Sequence, residues 1–117
     1  MTSSKFDPQA VVQRQLDAYN RLDLEAFVLE FSADVLAYRM SSHEPFLSGK
    51  AALTEYYREH RFNQPKLHSQ LVNRMVLGNK VIDHELITGV GDEVIEIAVV
   101  YEVIGTEISR VWFISGK

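Results

Sequence analysis

Residues 67–88 read LHSQLVNRMVLGNKVIDHELIT, and this stretch decides the fold. Gly78-Asn79 is a turn pair that closes a β-hairpin, and the segments either side, Leu67–Leu77 and Val81–Thr88, are rich in β-branched and alternating apolar residues. The same period of two continues through Val94–Ile104 and Glu107–Ser115, with turns at Gly89–Asp92 and Gly105-Thr106. Consecutive hairpins of this kind make an antiparallel meander. Upstream the period becomes helical. Asp7-Pro8 starts a helix with an N-cap acceptor and a first-turn proline, and Val11, Val12, Leu16, Tyr19 and Leu22 then fall on one stripe. Asp23 caps a second short helix that ends at Phe31, with Leu22 placed to staple onto Phe27. Asp34–Met40 reads as a strand and His43–Leu47, with Pro45, as at most a short edge piece. Ser48-Gly49 opens a third helix to about Phe62, with Leu53, Tyr56, Tyr57 and His60 on one side and Pro65 closing it. Helices followed by hairpins predict an α+β domain with the helices on one face of a curved sheet.

The chain has 117 residues, enough for one domain spanning 1–117, and needs no staple to hold its core. It has no cysteine, which removes disulfides, thiolate metal sites and a thiol nucleophile, and fits a cytoplasmic location. The net charge of −4 argues against nucleic acid as a partner, because counterion release needs a basic face. Its longest apolar runs, Ile97–Tyr101 and Val111–Ile114, are far below the ~20 residues of a membrane span. Glycines sit only in turn-like places, and neither a phosphate-binding loop nor a metal-ligand spacing such as His-Glu-x-x-His occurs, so no cofactor and no metal is expected.

This order of elements resembles the nuclear transport factor 2-like superfamily, in particular its SnoaL-like and ketosteroid isomerase-like branch. The likeness is carried by Val11-Val12-Gln13-Arg14, Asn20 through Leu24, Phe31 through Asp34, Ser48-Gly49-Lys50-Ala51-Ala52 and Val111-Trp112-Phe113-Ile114. It implies a cone-shaped, curved antiparallel sheet with three helices packed on its concave face, a cystatin-like α+β roll around a pocket. It does not fix the chemistry, since this fold hosts many activities. Ketosteroid isomerases use an aspartate base with a tyrosine and a protonated aspartate as oxyanion hole. In register, the tyrosine falls on Gln15, the base on Arg39 and the protonated aspartate on Arg110. Arginine stays protonated at neutral pH, so that mechanism does not transfer.

In Val81–Ile87, Asp83 and Glu85 share one face while Ile82, His84 and Leu86 share the other. Alternation alone leaves both acids in water. The resemblance reverses this, aiming both carboxylates at the pocket and packing the other face in a homodimer interface. Inward acids need partners, and the register nominates Arg39 and Arg110, whose guanidinium forks satisfy carboxylates or grip an anionic substrate; for each, a surface salt bridge is the bland alternative. His68, which the register puts in the cone, is the candidate proton relay, with a structural histidine as the alternative. Gln15, Tyr19, Phe27, Tyr57 and Trp112 are candidate ligand-binding residues, though each aromatic also serves as core. By the resemblance a further strand or tail would follow Ser115-Gly116-Lys117, so the chain is either cut short there or lacks the pocket's last lid.

The expected function is thus binding of a small organic molecule in the cone, with a cofactor-independent isomerisation, hydration or hydrolysis in which Asp83 or Glu85 is the base and Arg39 and Arg110 stabilise an oxyanion. The alternatives are a ligand carrier without turnover and a dimeric interaction module whose cone is filled by side chains.

Overall fold

The computed structural model describes residues 7–116. Three helices, α1 (Pro8–Asn20), α2 (Leu24–Leu29) and α3 (Lys50–His60), accompany six strands. The strands are β1 (Phe31–Arg39), β2 (Leu47–Ser48), β3 (His68–Leu77), β4 (Lys80–Thr88), β5 (Ile95–Ile104) and β6 (Glu107–Ser115). The helix starts follow from their caps. An Asp7 carboxylate oxygen accepts from the Gln9 N–H at 3.0 Å, and one of Asp23 accepts from Ala26 N–H at 3.0 Å. Gly49, at φ 91°, takes the cap position of α3 without any side-chain bond.

All six strands form one curled, unclosed sheet in the order β2-β1-β6-β5-β4-β3. β3 to β6 are the antiparallel meander that the hairpin signals predict. β1 pairs parallel with β6, a contact far apart in sequence, and this extends β1 back to Phe31, which opposes Ile108. The strand therefore begins earlier than the expected Asp34, and α2 is correspondingly shorter, ending at Leu29. The helices cover the concave face, where Val11, Val12, Phe27, Phe31, Leu53, Val81, Ile108 and Val111 are fully buried. No helix among the described residues is long and apolar enough to cross a membrane.

Two one-residue bulges control which side chains face inward. From the Gly78-Asn79 turn, β3 and β4 pair as Leu77↔Lys80, Val76↔Val81 and Arg74↔Asp83, but beyond Asn73↔His84 the register slips to Leu71↔Glu85. Val72 is the extra residue. Likewise β5 and β6 pair as Ile104↔Glu107 and Val103↔Ile108, then as Glu102↔Arg110 and Tyr101↔Val111, so Ser109 is extra, and its Oγ donates to the Glu102 carbonyl at 3.3 Å. Because side chains alternate every residue, each bulge inverts the faces of everything beyond it.

Candidate functional site

A cavity of about 440 Å³ lies between the helices and the inner sheet face. Gln15, Leu16 and Tyr19 of α1 and Tyr56 and Tyr57 of α3, with Arg61 just after it, form the helical wall. Glu85 and Ile87 of β4, with Ile97, Val99 and Tyr101 of β5 and Phe113 of β6, form the sheet wall. Exposed Arg39, Met40 and Ser115 mark the mouth.

The structure places both acids of β4 on the inner face, with Asp83 0% and Glu85 5% exposed. Their surroundings differ. Asp83 does not line the cavity: its two carboxylate oxygens accept from Arg74 Nε at 2.6 Å and Nη2 at 2.8 Å, and Arg74 Nη1 donates to Gln13 Oε1 at 2.8 Å. This bidentate pair ties β4 through β3 to α1 and keeps the buried charge compensated. The hydrogen bonds to Asp83 in turn hold the Arg74 guanidinium above its ordinary pKa.

Glu85 does reach the cavity. Ser69 Oγ donates to its Oε1 at 3.0 Å, and Tyr101 Oη donates to Oε2 at 3.4 Å. Burial, and secondarily the Asp83 charge, push its carboxyl up to about 7, against the opposing influence of Ser69, Tyr101 and Arg74. Burial also raises the tyrosine hydroxyls of Tyr19, Tyr57 and Tyr101, so all three remain proton donors across the physiological range. Tyr19 packs against Phe27, Tyr57 and Phe62, and its buried hydroxyl has no hydrogen-bond partner among the described residues. A glutamic acid near neutrality facing a free tyrosine hydroxyl across an aromatic chamber can exchange a proton with one part of a ligand while an oxygen elsewhere on it is held.

Other expected residues lie elsewhere. Arg110 is exposed on the outer sheet face, 3.8 Å from Glu102, and Trp112 is on the same face, stacked on Tyr38 at 5.9 Å. The Ser109 bulge is the reason: an unbroken hairpin would set Arg110 opposite Tyr101, facing in, whereas Val111 takes that place. His68 is exposed instead of facing the cone, because the Val72 bulge turns its neighbour Ser69 inward. Phe27 is 1% exposed and packs behind the cavity wall against Phe31, Tyr57 and Phe62, as core. Arg39 does sit at the cavity, but at its mouth, its guanidinium 3.9 Å from the Phe46 ring centre, while Asp83 is paired with Arg74 instead. Gln15, Tyr19 and Tyr57 line the cavity. Sequence reasoning missed Arg74 and Tyr101. The Gly78-Asn79 turn carries the signal for the first, since counting outward from it puts Arg74 opposite Asp83. Among the described residues no three His, Asp or Glu side chains gather to hold a metal ion.

A curled sheet capped by three helices around a cavity with a buried acid defines the roll expected from the sequence. The chain belongs to the SnoaL-like domain family, whose model matches residues 12–111. No curated protein matches the sequence. Among solved structures, a candidate ketosteroid isomerase from Kribbella flavida is 20% identical with a TM-score of 0.81, over 94% of this chain and 78% of its own. A cystatin-fold protein from Novosphingobium aromaticivorans is 20% identical with a TM-score of 0.80, over 96% and 98%. A candidate polyketide cyclase from Sinorhizobium meliloti is 14% identical with a TM-score of 0.76, over 95% and 99%. These likenesses establish the fold.

Proposed function

We propose that the protein binds a small, largely apolar carbonyl compound in the cavity and moves a proton on it, with Glu85 as the acid–base group. The observation that carries this reading is the buried Glu85 carboxyl, held near neutrality and open to the cavity. As carboxylate it takes a proton from the carbon next to the carbonyl; the electron pair moves onto the carbonyl oxygen, and the protonated Glu85 returns the proton to carbon. Tyr19 Oη, which has no hydrogen-bond acceptor among the described residues, donates to that oxygen as charge develops. This set differs from the tyrosine and two aspartates of the ketosteroid isomerases, but the kind of step matches the isomerase named for the Kribbella flavida relative. Asp83, whose two oxygens are engaged by Arg74, positions β4 and does not touch the ligand. The same reading includes a homodimer formed through the outer sheet face, supported by the half-buried apolar row Ile82, Val100 and Trp112 on that face.

The test is α-deuteration. A panel of cyclic and aryl ketones is incubated with the protein in deuterated water and followed by proton NMR. Exchange that falls by about 10²–10⁴ in Glu85→Gln supports the reading. Exchange equal in the variant overturns it, and tight binding without exchange by any panel member leaves a ligand carrier without turnover.

A further inference from the structure

The sequence has seven arginines, and all of them lie among the described residues. Arg14, Arg21, Arg58, Arg74 and Arg110 each lie within 3.8 Å of a carboxylate oxygen, on Glu30, Asp23, Glu55, Asp83 and Glu102 respectively. The two without such a partner among the described residues, Arg39 and Arg61, are the two that line the cavity. In a chain with 16 acidic residues this is a selective omission.

We infer that the cavity is built for an organic anion: a small apolar body bearing one carboxylate, gripped by Arg61 with Arg39 at the mouth. The inference deepens the proposed function by naming the charge its ligand carries, and rests on that reading only for the cavity being the binding site. Arg61 is half-buried, and its Nη1 donates to the His60 carbonyl at 3.0 Å, which fixes one edge of the fork. Its charge acts on the buried Tyr19 hydroxyl, so a cation and a phenol adjoin on one wall. A carboxylate accepts from the Arg61 fork and neutralises its charge, which a neutral carbonyl oxygen does not, and Tyr19 Oη is left for the carbonyl oxygen of the proposed reaction. At the mouth, the Arg39 guanidinium lies over the Phe46 ring at 3.9 Å, which holds its fork in place. Between these cations the walls are tyrosine, phenylalanine and aliphatic side chains, which suit the ligand's apolar body.

A matched pair of probes tests this: 2-naphthoate and 2-naphthamide share one body and differ in charge, and their affinities are measured by calorimetry at pH 8. The expected result is naphthoate tighter by at least about tenfold, a preference reduced to about twofold in Arg61→Gln, partly restored in Arg61→Lys, and unchanged in Arg110→Gln on the outer face. Circular dichroism melting confirms that each variant is folded. Equal affinities, tighter naphthamide, no binding of naphthoate, or a preference that survives Arg61→Gln would each overturn the inference. Glu85→Gln separates the two readings. If it abolishes ketone exchange while no anion preference exists, the inference alone fails; if the preference stands and exchange never occurs, the proton-transfer reading alone fails.

Discussion

Arg74 and Asp83 stand directly opposite each other on β3 and β4, joined by two hydrogen bonds of 2.6 and 2.8 Å. Asp83 is one residue removed from Glu85 on the same inner face, so the pair neutralises one of two adjacent buried acids and leaves the other to the cavity. Gln13 extends the contact to α1, the helix that supplies Gln15 and Tyr19 to the cavity wall. One ion pair thus couples the sheet, the helix and the proton affinity of the site.

Removing Arg74 alone should be costly. Arg74→Met strands the fully buried Asp83 carboxylate and is expected to destabilise the protein by about 3–5 kcal/mol in urea denaturation. The double variant Arg74→Met with Asp83→Leu should recover most of that loss, since no charge remains to be compensated. A single-variant loss below about 1 kcal/mol would mean that water reaches Asp83.

Glu85 makes stability depend on pH with a definite sign. Facing it are Asp83 on its own strand, Ser69 and Arg74 on β3, Tyr101 on β5, Tyr19 on α1 and Tyr57 on α3. Its carboxyl is raised from 4.5 when free to about 7 when folded, so between these values the folded state keeps a proton the unfolded chain has lost. The resulting stability is complete below pH 4.5 and is lost as pH rises through about 7. Wild type should therefore fall by a few kcal/mol relative to Glu85→Gln between pH 4.5 and pH 8, read from urea midpoints at several pH values. Parallel pH profiles would place Glu85 in water.

The element order was legible because the meander turns are short and carry glycine or asparagine: Gly78-Asn79 and Gly105-Thr106 set the first pairs of their hairpins, Leu77↔Lys80 and Ile104↔Glu107. What periodicity did not disclose were the Val72 and Ser109 bulges, which no residue type announces. Each sits between the turn and the residue being assigned, so His68 and Arg110 come out on the wrong face while Arg74 and Asp83, on the turn side of Val72, do not. The parallel β1–β6 pairing was likewise beyond reach, because it joins Phe31 to Ile108 with most of the chain between them. Tyr101 as a Glu85 partner depends on the unbroken β4–β5 register, in which Tyr101 stands opposite Val81 and its hydroxyl reaches along the inner face to Glu85.

Gly89 offers a test of the turn between β4 and β5. Its φ is +87°, and a Cβ there would fall inside the van der Waals envelope of the Lys66 carbonyl, a backbone group that cannot rotate away. Gly91, at φ +71°, has nothing within 4 Å of such an atom. Gly89→Ala is expected to cost at least ~3 kcal/mol and Gly91→Ala only the ~1 kcal/mol of left-handed strain, compared by thermal denaturation. Equal losses would show that the segment before β3 does not press on the turn.

The proposed dimer makes the outer sheet face the place to intervene. Ile82, Val100 and Trp112 lie in one row across β4, β5 and β6, all on that face, with Trp112 stacked on Tyr38 at 5.9 Å. Lys80, Glu102 and Arg110 flank the row with charge, the arrangement of an apolar centre and a polar rim. Light scattering should give about twice the 13.4 kDa chain mass. Trp112→Glu puts a carboxylate at the centre of the row and is expected to yield monomer. Because Trp112 points away from the cavity, 2-naphthoate binding should persist in that monomer within about twofold. Wild-type protein that scatters as a monomer at ~100 μM would remove the dimer from the proposal without touching the cavity.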